Sequence, residues 1–194
     1  MLFPRVTIGL PDWVEDMLSD PDYEYPTEED RMRLVIELSR LNLDHGTGGP
    51  FGAGIFDLST NRLVAPGVNL VATTNLSAAH AEMVATMISQ QVVGYFDLGG
   101  KGLPQYELVA STEPCAMCFG AIPWSGVRRL ARAAREEDAR AIGFDEGPKV
   151  PDWVASLEQR GISVARDVCR DEAAEVLRYY VQSGGMIYNA RQGA

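Results

Sequence analysis

The chain has 194 residues, a length that suits one domain with a full hydrophobic core. Its 46% hydrophobic and 23% charged content excludes disordered and fibrous classes, and no apolar run reaches membrane-spanning length. Twenty-seven acids against seventeen bases leave a net charge of −10, and basic residues occur only in scattered pairs such as Arg128-Arg129, which argues against a polynucleotide partner.

Residues 1–27 hold four prolines and read as an irregular arm. The prolines and early aspartate of MLFPRVTIGLPDW leave no unbroken apolar run for a secretory signal. Three cysteines without such a signal predict a reducing, cytoplasmic setting and no disulfide framework. Thr27 followed by Asp30 has the pattern of a capping box, and Leu34, Leu38 and Leu41 then mark one helical face. That helix should end near His45-Gly46, which makes His45 a solvated helix-terminal histidine.

GIFDLSTNRLVAPGV predicts a β-hairpin around Ser59-Thr60-Asn61. Ser77 is expected to cap a helix over 78–91. YELVAST alternates as a strand, and Thr112 with Pro114 predicts a helix start, proline in the first turn losing no needed N–H. VRRLARAA and GISVARDV read as further strands, with helices near 136–141 and 171–182. Ser183-Gly184-Gly185 should stop the last helix, after which the apolar Met186, Ile187 and Tyr188 should dock on the protein. This order predicts a single α/β domain over 1–194, a three-layer α/β/α sandwich whose mixed five-stranded sheet carries helices on both faces.

The chemistry concentrates in two short segments. STEPCAMC sets Cys115 and Cys118 three apart, and the only other cysteine is Cys169, so no second pair completes a four-sulfur site. Of the two histidines, His80 in SAAHAEM lies at a predicted helix start with Glu82 two residues on. Side chains two apart diverge in mid-helix, but at an N-terminal turn aimed end-on at a site both can converge. The cysteines open another helix, whose dipole favours thiolates. His, Cys and Cys leave the fourth tetrahedral position of zinc open, as in catalytic sites, where bound water has a pKa of about 7. Glu82 suits the proton traffic of that water. His-x-Glu followed by Pro-Cys-x-x-Cys is the signature of zinc deaminases. A closed structural zinc with Cys169 as fourth ligand would leave Glu82 without a role, and Cys169 reads as a buried, inert thiol.

These motifs, together with IGLPDW, GGPFGAGIF, GVNLV, AIGFDEGP and IYNAR, resemble the cytidine-deaminase-like superfamily. Within it they are most similar to the small bacterial guanine deaminases, and the resemblance runs nearly end to end. It implies one zinc per chain and hydrolysis of guanine at C2 to xanthine and ammonia, by attack of zinc-bound hydroxide with Glu82 as proton shuttle. It also implies that Asn69 reads the base, that Phe51 and Trp124 flank it, and that Glu146 contacts the base and its leaving amine. Asp145 is the competing assignment beside Glu146. The resemblance further implies a homodimer whose C-terminal segment, 184–194, is exchanged as an active-site lid and brings Tyr188 to the neighbouring pocket. On the residues alone, packing of that segment against its own body is equally open.

Two departures lie near the expected substrate entrance: Leu70, where a polar or basic residue is expected, and the loop ATTN. A related heterocycle, an aminotriazine or a nucleoside, is therefore the alternative substrate. The tRNA adenosine deaminases share both zinc motifs but predict a basic surface, against the acidic balance here. A non-enzymatic zinc module would instead predict a closed coordination site.

Overall fold

In the computed structural model, which describes residues 3–190, the strands order as β2-β1-β3-β4-β5. Their ranges are β1 Gly52–Asp57, β2 Arg62–Val68, β3 Tyr106–Thr112, β4 Arg129–Ala134 and β5 Ser163–Ala165. β1 runs antiparallel to both neighbours, whereas β3, β4 and β5 are parallel. A two-stranded hairpin supplies the first relation, with Asn61 in the left-handed conformation at its turn. Helical crossovers supply the second.

Successive strand residues point to opposite faces, and the core divides accordingly. Phe56, Val109 and Ala131 face one layer, formed by α2 (Glu28–Asp44) and α8 (Arg170–Gln182). Ile55, Leu108 and Leu130 face the other, formed by α4 (Ala81–Val93), α5 (Ala116–Ser125) and α7 (Trp153–Glu158). This is the expected three-layer mixed sheet of the cytidine deaminase-like fold. Helix α2 begins at the expected capping box: the Thr27 hydroxyl accepts the Asp30 N–H at 3.0 Å, and the Asp30 carboxylate accepts the Thr27 N–H at 3.1 Å. Among the described residues no helix is long and apolar enough to cross a membrane.

Several expectations need correction. The arm 1–27 is not wholly irregular, since it folds a short α1 (Asp12–Met17) that buries Val14. Trp13 from this helix donates to the Thr47 hydroxyl at 3.1 Å and stacks on one face of His45, which is the C-cap of α2 and exposed, as expected. The helix expected over 78–91 starts only at Ala81. The residues before it form the single turn α3 (Val71–Thr74), ended by Asn75 in the left-handed conformation, so Ser77 caps nothing. Pro114 stands outside α5, because Cys115 is the N-cap residue. Strand β5 is three residues long, cut short where Asp167 and Cys169 turn the chain with positive φ. Helix α6 (Glu136–Ala141) lies where expected, but α7 has no counterpart in the sequence reading.

At the C-terminus α8 stops at Gln182 and Gly184 adopts φ +78°. Ile187 and Tyr188 pack against the core, whereas Met186 remains exposed. Residues 1–2 of the arm and 191–194 of the tail lie outside the described residues.

Candidate active site

Two helices begin at one place. His80 is the N-cap of α4 and Cys115 the N-cap of α5, both with extended backbone. An N-cap side chain lies at the mouth of its helix, which is why His80 can share a site with Glu82, the second residue of α4. Cys118 follows one turn into α5 and is buried.

The His80 Nδ1 atom lies 3.5 Å from the Cys115 sulfur and 3.7 Å from that of Cys118, and the three ligand atoms fall within 4.8 Å of one another. Tetrahedral zinc, with Zn–S about 2.3 Å and Zn–N about 2.0 Å, separates such N and S atoms by about 3.5 Å. The donor set fits zinc in both chemistry and spacing. Hydrogen bonds from Cys118 and His80 bring the Cys115 thiol down to about 4, despite burial, so a thiolate stands ready. The same bond, with burial, pushes the Cys118 thiol up. Cys169 takes no part in the cluster; it sits at the start of α8.

A cavity of about 230 Å³ opens at this cluster, lined among others by His80, Glu82, Cys115 and Glu146. Burial, and then the charge of Cys115, raise the Glu82 carboxyl. The same two causes raise Glu146 to about 8. Both cavity acids therefore hold protons more tightly than free carboxylates.

The structure separates Glu146 from its neighbour. Glu146 is buried, whereas the Asp145 carboxylate is exposed and accepts the Gly147 N–H at 2.9 Å, closing a turn. Gly147 has φ +70°, and a Cβ there would lie 3.1 Å from the Ala116 Cβ, so the loop rests directly on the first residue of α5.

Phe51 lines the cavity and meets Phe144 edge to face at 5.0 Å, and Phe144 meets Tyr188 in the same way at 5.0 Å. Three aromatic rings thus form one wall. Within the single chain described, the tail brings Tyr188 to the chain's own cavity. Its hydroxyl is buried, with no hydrogen-bond partner among the described residues.

Asn69 lies behind the wall. Its N–H donates to the Phe51 carbonyl, its Oδ1 accepts the Val71 N–H at 3.2 Å, and both partner residues line the cavity. Its buried Nδ2 finds no partner among the described residues.

Of the candidates, Asn69, Cys118 and Trp124 do not line the cavity, and Trp124 stands apart from it altogether. It lies nine residues past Cys115, about 13 Å along the helix, and is 83% exposed. Phe144 and Glu113 line the cavity but escaped the sequence reading. Phe144 sits within GFDEGP, where an aromatic flanking two acids was a usable signal. Glu113 directly precedes the Pro-Cys-x-x-Cys segment and had no distinguishing one.

A family model described as the cytidine and deoxycytidylate deaminase zinc-binding region matches residues 26–134, which include His80, Glu82, Cys115 and Cys118. The guanine deaminase of Bacillus subtilis (strain 168) is 36% identical over 115 residues, 59% of this chain and 69% of that one. The solved structure of NE0047 in complex with 2,6-diaminopurine matches with a TM-score of 0.88 at 46% identity, covering 96% of this chain and 97% of that one. A solved structure of guanine deaminase from Nitrosomonas europaea matches with a TM-score of 0.86 at 45% identity, covering 91% and 96%.

Proposed function

The chain belongs to the cytidine and deoxycytidylate deaminase family and is a hydrolase acting on C–N bonds of cyclic amidines; from that premise we propose that it converts guanine to xanthine and ammonia. The observation that carries this reading is the convergence of His80, Cys115, Cys118, Glu82 and Glu146 on one small cavity with an aromatic wall. At about 230 Å³ the cavity falls below the 300–1,000 Å³ usual for drug-sized ligands, which favours a free base over a nucleoside. The relatives bearing the guanine deaminase name point the same way.

His80, Cys115 and Cys118 would hold one zinc per chain. When bound, the metal supplies a Lewis-acidic centre at which water ionises near neutral pH. Glu82 accepts a proton from the attacking water and returns it to the ring nitrogen. Glu146, held protonated by burial, gives its proton to the departing amine as the C–N bond breaks and the C=O bond forms, and the hydroxyl proton shed in that step returns through Glu82 and solvent to Glu146. Phe51, Phe144 and Tyr188 form the apolar wall for the flat ring. Asn69 carries a buried, unpartnered Nδ2 behind the wall, and a turn of its side chain into the cavity would offer that donor to an acceptor on the purine edge.

The tail is the lid. Segment 184–194 would be exchanged in a homodimer, since an exchanged copy delivers the same Tyr188 to the same cavity. Three free cysteines suit a reducing cytoplasm. Ammonia release from a panel of guanine, guanosine, aminotriazines and tRNA tests the substrate. Guanine is expected to turn over fastest and guanosine not at all. Turnover of guanosine or tRNA exceeding that of guanine overturns this reading.

A further inference from the structure

Of the chain's two lysines, Lys149 forms ion pairs among the described residues, and its side chain is almost wholly enclosed, at 4% exposure. Its ammonium has three N–H groups and three acceptors: the Glu113 carboxylate at 2.5 Å, the Glu136 carboxylate at 2.9 Å and the Pro114 carbonyl at 3.0 Å. The Trp153 ring covers it at 5.0 Å. Enclosing a lysine costs desolvation, and nothing in zinc binding or in the proton steps above uses this one.

Lys149 does more than neutralise charge. Glu136 already has Arg140 at 2.6 Å, whereas Glu113 has Arg132 only at 3.5 Å and that guanidinium is bonded to Asp167 at 2.5 Å, so Lys149 is the cation hydrogen-bonded to Glu113. Beyond that pairing, Lys149 adds the bond to the Pro114 carbonyl. On the other side of Cys115, the Ala116 N–H donates to the Glu146 carbonyl at 2.9 Å. The two residues flanking a zinc ligand are thus each bonded to the loop that carries Glu146. Between Glu146 and Lys149 lie only Gly147, pressed against Ala116, and Pro148, whose ring fixes φ. The staple is short and stiff.

We propose that Lys149 is a positioning residue for deamination: by fastening the Glu146 loop to Pro114, opposite the Ala116 bond that the loop makes through the Glu146 carbonyl, it sets the second acid against the metal site. This rests on the reading of Glu146 as the acid that serves the leaving amine. Misplacing a catalytic group by an ångström costs about a hundredfold in rate, so loosening the staple should be felt in turnover.

The experiment is a double-mutant cycle on the zinc-loaded full chain with guanine, using Lys149→Met, Glu146→Gln and the pair, with zinc content and melting temperature measured for each. Lys149→Met is expected to lower kcat about tenfold or more, with zinc retained and KM within threefold. In the Glu146→Gln background it should cost nothing further. A Lys149→Met kcat within twofold of wild type, or losses that multiply in the pair, overturns the proposal. Glu146→Gln within twofold of wild type is a different outcome: it removes Glu146 from the chemistry, and with it the group Lys149 would position. Should Lys149→Met not fold, Lys149→Arg replaces it in the cycle. It keeps the charge, but its planar guanidinium cannot present three N–H groups from one nitrogen.

Discussion

A carboxylic acid in water gives up its proton near pH 4, and Glu146 holds its proton to about 8, chiefly because burial penalises the anion and then because Cys115 and Glu82 add negative charge. Only the protonated form can serve as an acid, and its fraction falls as pH rises through 8. A zinc cation would offset part of the Cys115 charge, so the kcat/KM for guanine should decline on the alkaline side with a midpoint above the free carboxylate range and no higher than about 8. Glu146→Gln should cost about a hundredfold in turnover with zinc retained, and its residual rate should lack that limb. A stopped assay from pH 6 to 10 on both proteins checks this, and an unchanged alkaline limb in the variant assigns it elsewhere. At this scale the sequence was informative where the signal was local. His80 with Glu82, and Cys115 with Cys118, are spaced by helix geometry, and each pair could be read in a few residues. Trp124 shows the limit. Sitting in the same segment as the cysteines, it looked like a neighbour of the site, yet helical rise carries it about 13 Å away. Lys149 and Glu113 depend on tertiary contacts that no spacing reveals.

Long elements were legible, and most of the short ones were not. Helix α2 has a capping box and a buried stripe through Met32, Val35 and Leu38. Helices α1, α3 and α7 have six residues or fewer and no side-chain cap, so nothing in them competes with a loop reading. The tail was half legible: the glycine break was plain, but where Tyr188 docks depends on a notch formed far upstream. A Cβ on Gly49 would lie 2.1 Å from the Tyr188 hydroxyl, so that ring fits only against glycine. Gly49→Ala should displace the tail, and deleting 184–194 should remove it. Both are expected to lower guanine turnover at least tenfold while zinc content stays at the wild-type value. Sedimentation of the two variants tests the exchange at the same time, because an exchanged dimer should loosen in both. Kinetics matching wild type in the truncated chain would dismiss the lid.

For the whole molecule, the site exists because of the order of the sheet. Strand β2 leads through α3 to the start of α4, and β3 leads directly into α5; the two strands flank β1 and run the same way, so their ends deliver two helix N-termini to one point. The returning loop after α6 closes that point with Glu146, and the tail after α8 covers it with Tyr188. Alternating helix and strand signals were enough to predict the three layers, since a mixed sheet with short crossovers has few ways to bury both faces. They could not supply the junctions between elements, where most of the cavity wall lies. The central claim is that this cavity deaminates guanine with Glu82 moving the proton. The most direct measurement is xanthine formation from guanine by wild-type and Glu82→Gln proteins whose zinc per chain has been matched. Steady xanthine production is expected from the wild type, and a loss of about a thousandfold from Glu82→Gln with the metal still bound. Equal rates from the two proteins, or no xanthine from a zinc-loaded wild type, would contradict it.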